Sequence, residues 1–366
     1  MEKIKKQIYI METINISIII PFYNRLKLVE KTIISVLRQT ASNWELILVD
    51  DGTTEEGLEK LIKKYSSESV KFLKRDRLPK GAPTCRNIGA ANSRFDYLLF
   101  FDSDDIMASY AIEERTKVIK GNIDKSFYIF DAVKLSNNNA KFFQSCIISP
   151  VSDPLLRFLR FQQTWATPCV VWKKDTFCNI NGWDENVVSW QDGELHVRLL
   201  LNCNNYHWEN PLPDSFVRIH DNRITNKSFN ADKLTNRFAT YNKVLNTLDA
   251  NSFYYNVFKN NIEKQLYNAL EFSKKEDIKT IRQLVKLDKI IIQNKTIFMF
   301  YSKLYELFGN TTILKSLFWQ LRKIGIPNKR KTFFKERKTY TETEIKLLKE
   351  KTKNDNFIKS EFLFFY

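Results

Sequence analysis

Tyr97-Leu98-Leu99-Phe100-Phe101-Asp102-Ser103-Asp104-Asp105 joins an apolar run to three carboxylates within four positions. Tyr97 to Phe101 has the length and continuity of a strand buried on both faces. Three anions this close repel one another, so the turn is costly unless a cation sits beside it. Asp102 and Asp104, on either side of Ser103, can reach one hard ion through oxygen ligands. Mg²⁺ or Mn²⁺ held in this way usually carries substrate phosphates as well. The plain alternative is a solvated acidic turn that caps the next helix, and the motif alone does not separate the two.

Working outward, the same pattern recurs upstream. Ile16 to Ile20 is an apolar, β-branched run, and Pro21 is expected to stop that strand. Arg25 to Gln39 has helical spacing. Trp44 to Val49 is a second apolar strand and ends at Asp50-Asp51-Gly52. Thr53 or Thr54 is expected to cap a helix that runs through Tyr65. Val70 to Leu73 is a third strand, and Pro83 suits the first turn of a helix reaching about Ser93. Strands and helices alternating at roughly 25 residues predict an α/β fold with a doubly wound parallel sheet. In such sheets ligands bind beyond the carboxyl ends of the strands, where Pro21-Phe22-Tyr23-Asn24, Asp50-Asp51-Gly52 and Asp102-Ser103-Asp104 all lie. No G-x-G-x-x-G follows the first strand and no G-x-x-x-x-G-K-[ST] occurs, which excludes the usual dinucleotide and P-loop readings.

The 366 residues allow one large domain or two ordinary ones. No uncharged apolar run reaches the ~18 residues of a membrane span, and the N-terminus lacks the pattern of a signal peptide. Five Cys without a C-x-x-C pair predict reduced thiols in a cytoplasmic protein, not a disulfide framework or a zinc site. The net charge of +16 is uneven: residues 225–366 hold 28 Lys/Arg against 14 Asp/Glu, and the rest is close to neutral. A globular domain at 14–225 and a basic, mainly helical extension at 226–366 are the expected division.

Three stretches, "SIIIPFYNR", "ELILVDDGT" and "GAPTCRNIGAANSRFDYLLFFDSDD", occur in that order and resemble the family 2 inverting glycosyltransferases of the GT-A fold. "INGWDENV" (180–187), "WQDGELHVRLL" (190–200) and "VRIHDNRIT" (217–225) resemble later segments of the same family. The likeness covers roughly residues 14 to 225. It implies a Rossmann-like, mainly parallel sheet flanked by helices. It also implies sugar transfer from a nucleotide sugar, UDP-linked, to a glycan or lipid-linked acceptor in polysaccharide or glycoconjugate synthesis.

By the resemblance, Pro21, Tyr23 and Asn24 line the nucleoside pocket, and Asp50 accepts from the base. Arg86 and Ser103 serve the donor side. A helix-surface arginine is the alternative for Arg86. Asp104 holds Mn²⁺ or Mg²⁺, Asp102 is shared between ribose and metal, and His220 is a further candidate ligand. Asp105 is expected to open the following helix. Inverting transfer needs one general base on the acceptor side. Asp192 matches that position, with Glu194 as the fallback, and capping of the helix from Gly193 is its structural alternative. Gly193 stands where the family has a large residue and is expected to widen the acceptor pocket. Trp165, Trp172, Trp183 and Trp190 precede or flank the base; core packing is the default for most of them, with one or two touching acceptor.

Phe238 to Ser273 and Thr311 to Ile324 read as helices. Arg322 to Lys338 carries eight cations against Glu336. Beside aromatic residues this suits an anionic membrane surface, which a lipid-linked acceptor would explain; a solvated basic helix pair is the alternative. No nucleic-acid motif accompanies the charge, so nucleic acid is not an expected partner. The rival function is a catalytically inactive glycan- or membrane-binding scaffold of the same fold, against which Asp50, Asp102, Asp104 and Asp192 together argue.

Overall fold

A computed structural model describes residues 13–136, 144–145, 152–209, 212–219, 231–272, 275–287, 295–308, 340 and 342–361. Its first elements are β1 (Ile16–Phe22), α1 (Leu26–Leu37), β2 (Trp44–Asp50), α2 (Leu58–Tyr65), β3 (Val70–Lys74), α3 (Ala82–Ala91) and β4 (Tyr97–Phe100). The four strands are parallel in the order β3-β2-β1-β4, with Ile19 opposite Ile47 and Phe100. Ile19, Ile47, Val49, Leu98 and Phe100 point into one core, and Ile16, Ile18, Ile20, Leu46, Leu48 and Leu99 into another. Burial on both faces is why the strands are apolar runs without alternation. Each fully buried Ile or Leu is worth about 1.5–3 kcal/mol. α3 lies so close on this sheet that a Cβ on Gly89 would come within 2.4 Å of Ile19 Cγ2.

Two local expectations fail. Pro21 does not stop β1, which pairs with β2 as far as Phe22 opposite Asp50. The Ile19 carbonyl accepts from Phe101 N–H, so by alternation the Pro21 nitrogen faces the β4 side, beyond the last β1–β4 pair. There no ladder bond is lost. Thr53 and Thr54 do not cap α2, whose N-cap is Gly57 with φ 98°. Asn24 competes for them: its N–H donates to Thr53 Oγ1 at 3.0 Å, and its Oδ1 accepts from Thr54 N–H at 2.9 Å.

After β4 come β5 (Ile106–Met107), α4 (Ala111–Gly121), β6 (Phe127–Ile129), β7 (Ala132–Ser136), β8 (Gln144–Ser145), α5 (Pro154–Leu159), β9 (Val170–Lys173), α6 (Lys174–Asn179), α7 (Gln191–Asn202), β10 (Tyr206–Trp208) and β11 (Ser215–Ile219). The main sheet has the order β10-β6-β9-β4-β1-β2-β3 and is parallel except for β9, which runs antiparallel to β4 and β6. A smaller sheet has the order β5-β11-β7-β8. It is pinned to α4 by buried Arg115, whose Nε and Nη2 donate to the two oxygens of Asp214, each at 2.7 Å. Asp105 is not at a helix start. It precedes β5, is buried, and its carboxylate accepts from Arg218 N–H at 3.1 Å, tying the acidic turn to β11.

The helices that follow are α8 (Ala231–Thr247), α9 (Phe253–Phe272), α10 (Lys275–Lys286), α11 (Lys295–Phe308), α12 (Glu342–Thr352) and α13 (Asn356–Glu361). The single helix expected over Phe238 to Ser273 is two. Asp249 breaks it, its carboxylate accepting from Asn251 N–H at 3.0 Å and its carbonyl from Ser252 N–H at 2.9 Å. Phe238, Tyr241, Phe258, Leu266 and Tyr301 join Phe100, Trp165 and Trp172 in one core, so these helices and the sheet are packed as one body. Tyr340, Leu348 and Ile358 return to cover Ile106, Val133 and Phe216 of the small sheet. There the Tyr340 hydroxyl donates to the buried Asp131 carboxylate, and Arg38 pairs with Asp355 at 3.4 Å. The expected boundary at Thr225, the helix over Thr311 to Ile324, the basic run Arg322 to Lys338 and His220 lie outside the described residues. No helix among those described is long and apolar enough to cross a membrane.

Candidate active site

The strand order β3-β2-β1-β4 reverses direction of winding between β1 and β4, so a crevice opens at their carboxyl ends. Three loops meet there. After β1, Asn24 and Arg25 both hold left-handed backbone, φ 52° and 57°. After β2, buried Asp50 accepts from Thr53 N–H at 2.8 Å and Gly52 N–H at 3.2 Å, which closes a tight turn. Its neighbour Asp51 shapes the loop, accepting from Arg75 Nε at 2.6 Å and Gly81 N–H at 3.2 Å. After β4 comes the acidic turn.

Buried Arg86 is not on a helix surface. It donates to Asp102 Oδ1 at 2.8 Å while its guanidinium lies 4.4 Å over the Trp183 ring, and its buried Nε has no partner among the described residues. Arg25 Nη1 approaches Asp104 Oδ2 at 3.3 Å. Thus two arginines from different elements offset part of the repulsion in the turn. Thr32 Oγ1 donates to the Ser103 and Asp105 carbonyls, at 3.0 and 2.8 Å, and fixes the backbone between the carboxylates. Tyr23 is exposed at the mouth with Lys80 Nζ 3.6 Å over its ring, whereas Pro21 is buried inside β1. Asn24 spends its side-chain carbonyl on the β2 loop, as described above.

The turn's chemistry fits a divalent cation. Asp102 and Asp104 supply hard oxygens, and among the described residues no group of three or more His, Cys, Asp or Glu could hold a metal. A pair of carboxylates is the donor set of Mg²⁺ or Mn²⁺ sites completed by substrate phosphates and water.

Asp192 is brought to this crevice by α7. It is the second residue of the helix, not its cap; Trp190, at φ 61°, takes the cap position without a side-chain bond. Asp192 Oδ1 accepts from Gly193 N–H at 2.9 Å and Oδ2 from Gln163 Nε2 at 2.6 Å. Burial pushes its carboxyl above the ordinary aspartate value; the Gly193 N–H and the Arg86 charge pull it back, and the Asp102 charge raises it. Arg86, Asp102 and Asp192 therefore share one electrostatic field. Glu194 does not: it is buried and pairs with Arg198, whose Nη2 reaches Glu194 Oε2 at 2.8 Å and the Gly182 carbonyl at 2.9 Å. It braces the turn before α7 and is not a spare base.

Gly193 does not widen a pocket. A Cβ there would lie 2.0 to 2.5 Å from the Trp190 indole, which folds back under the helix and stacks on Phe258. Trp165, Trp172 and Trp183 are buried in the core. Residue Gln163 escaped the sequence reading, since no spacing links it to Asp192, 29 positions away. Beside the crevice, Asn87, Trp183, Glu185, Arg198 and Lys243 line an open cleft of about 490 Å³. Among the described residues, Cys85, Cys178 and Cys203 carry free thiols. That of Cys85 is pushed up to about 12, by burial first and by Asp51 next, so it is not a nucleophile.

Residues 17–165 match the family model "Glycosyl transferase family 2". An uncharacterized glycosyltransferase of Haemophilus influenzae is 31% identical over 186 residues, which is 50% of this chain and 62% of that protein. The Escherichia coli protein WfgD, a UDP-Glc:alpha-D-GlcNAc-diphosphoundecaprenol beta-1,3-glucosyltransferase, is 31% identical over 131 residues, 36% of this chain and 50% of that one. The chain thus spans less than two thirds of these relatives' length. The crystal structure of Staphylococcus aureus TarS 1-349 in complex with UDP-GlcNAc superposes with a TM-score of 0.57 at 15% identity, covering 84% of this chain and 92% of that one. Fold, crevice and family model point the same way: residues 17–165 are similar to glycosyl transferase family 2, and the chain has the GT-A fold.

Proposed function

We propose that this chain is an inverting glycosyltransferase that moves a sugar from a UDP-linked donor to a hydroxyl of a glycan or lipid-linked acceptor. The observation that carries the reading is the meeting of Asp102, Arg86 and Asp192 at the β1–β4 switch point. On this reading Asp50 and Tyr23 serve the nucleoside of the donor and Asp192 the acceptor. Asp192 takes the proton from the attacking hydroxyl as the bond from the anomeric carbon to the diphosphate oxygen breaks in line. Its raised affinity for protons brings it nearer the working range of a general base. Arg86 holds Asp102 toward the diphosphate. Asp102 and Asp104 would hold Mn²⁺ or Mg²⁺, which when bound offsets the charge on the leaving nucleoside diphosphate.

The likeness to TarS with UDP-GlcNAc supports a UDP-linked donor, and WfgD supports a lipid-linked acceptor. An anionic membrane surface is the matching workplace, supported by the excess of 28 Lys/Arg over 14 Asp/Glu in residues 225–366 and by exposed Leu287, Phe300 and Leu307. The test is release of UDP from a panel of UDP-sugars with Mn²⁺ or Mg²⁺ added or chelated. Asp192→Asn should bind UDP as the parent does and lose turnover; full turnover in that variant ends the proposal.

A further inference from the structure

We propose that Gln163 is a positioning residue that holds the Asp192 carboxylate in one orientation for proton removal. The proposal rests on Asp192 being the base. Its basis is geometric. Each oxygen of Asp192 accepts from a separate donor on a separate element: Oδ1 from Gly193 N–H at 2.9 Å, Oδ2 from Gln163 Nε2 at 2.6 Å. An ionised carboxylate only accepts, so the NH₂ end of the amide must face it, and the amide orientation is decided.

The segment carrying Gln163 is itself fixed on both sides. Phe161, at φ 57°, packs 5.4 Å from Trp190 and 4.6 Å from Tyr241. Trp165 is fully buried, 5.0 Å from Phe158 and 5.5 Å from His196. Trp190, which Phe161 touches, is the same ring that fills the space over Gly193. The loop and the start of α7 are therefore locked to each other through one indole, and the amide and carboxylate are carried by the two locked parts. The charged groups that act on Asp192 are Arg86 from α3 and Asp102 after β4. A neutral amide adds direction without adding a further charge to that pair.

The experiment uses the full chain labelled with ¹³Cγ-aspartate, with Asp192→Asn assigning the signal. Gln163→Met keeps the length and removes the donor. The Asp192 midpoint should then rise by about one pH unit, the equivalent of one lost charge-assisted hydrogen bond. In Gln163→Glu the two carboxyls should titrate as a coupled pair in two steps. In UDP release from UDP-GlcNAc, Gln163→Met should lower kcat about tenfold and leave the donor KM unchanged. An Asp192 midpoint unmoved in Gln163→Met, or single-step titration of Asp192 at the parent value in Gln163→Glu, overturns the proposal. Because the titration needs no turnover, it separates this failure from that of the base assignment, which an active Asp192→Asn would reveal. Gln163→Glu carries the test if Gln163→Met unfolds.

Discussion

His196 gives the fold a built-in sensitivity to acid. Its imidazole is buried and stacks on Trp172, rings 5.9 Å apart and 9° from parallel, with Trp165 and Phe158 against its other sides. Among the described residues its Nδ1 has no partner. Among the described residues no carboxylate compensates a charge there, and burial lowers its pKa from 6.5 to about 3. In the unfolded chain the ring protonates near 6.5, so between those values the unfolded state binds more protons. Stability therefore falls as pH drops through the unfolded value and continues to fall toward the folded one. Between about pH 7 and about pH 5 this one group removes about 2 kcal/mol. Urea unfolding of the parent and of His196→Phe, at both pH values, isolates it, because the remaining titrating groups are common to both proteins. The parent should lose about 2 kcal/mol more than the variant over that interval. Equal losses would refute the argument, since a ring that cannot titrate would then be as acid-sensitive as one that can.

Other consequences are direct. Gly193→Ala drives a methyl into the Trp190 indole and should cost about 1–3 kcal/mol; Trp190→Ala in the same chain should recover part of it, a non-additivity that paired denaturation curves would detect. Asp192→Asn should cut turnover about 10²–10⁴-fold while calorimetry shows UDP binding unchanged. Asp104→Ala should weaken UDP binding in Mn²⁺ and leave it unaltered in chelator. Asp214→Ala strands the Arg115 guanidinium in the interior and should destabilise by about 3–5 kcal/mol, whereas Glu113→Ala, a half-exposed partner of Lys117 on the same helix, should cost under about 1 kcal/mol.

How much of this was legible in the chain follows from the range of each interaction. β1 to β4 could be read because burial on both faces leaves unbroken apolar runs, and the three polar clusters could be placed because they follow those runs. What stayed hidden depends on contacts distant in sequence. Asp105 looked like a helix start because the sequence does not show Arg218, 113 positions away, waiting for its carboxylate. Gly193 looked like an opening because nothing local says that Trp190 turns back over it. The seven-stranded sheet, with β9 antiparallel between β4 and β6, has no signature in a four-residue run of Val170–Lys173. Gln163 belongs to the same class: its meaning exists only once α7 has docked.

The contact between Tyr340 and Asp131 sets an order of assembly. A ribosome delivers Asp131 209 residues before the phenol that bonds to it. Until then the small sheet that holds Asp105 through β11 lacks Leu348 and Ile358 over its Ile106 and Phe216. The acidic turn at the crevice is thus tied through Asp105 to a small sheet whose apolar cover is synthesised long after the turn itself.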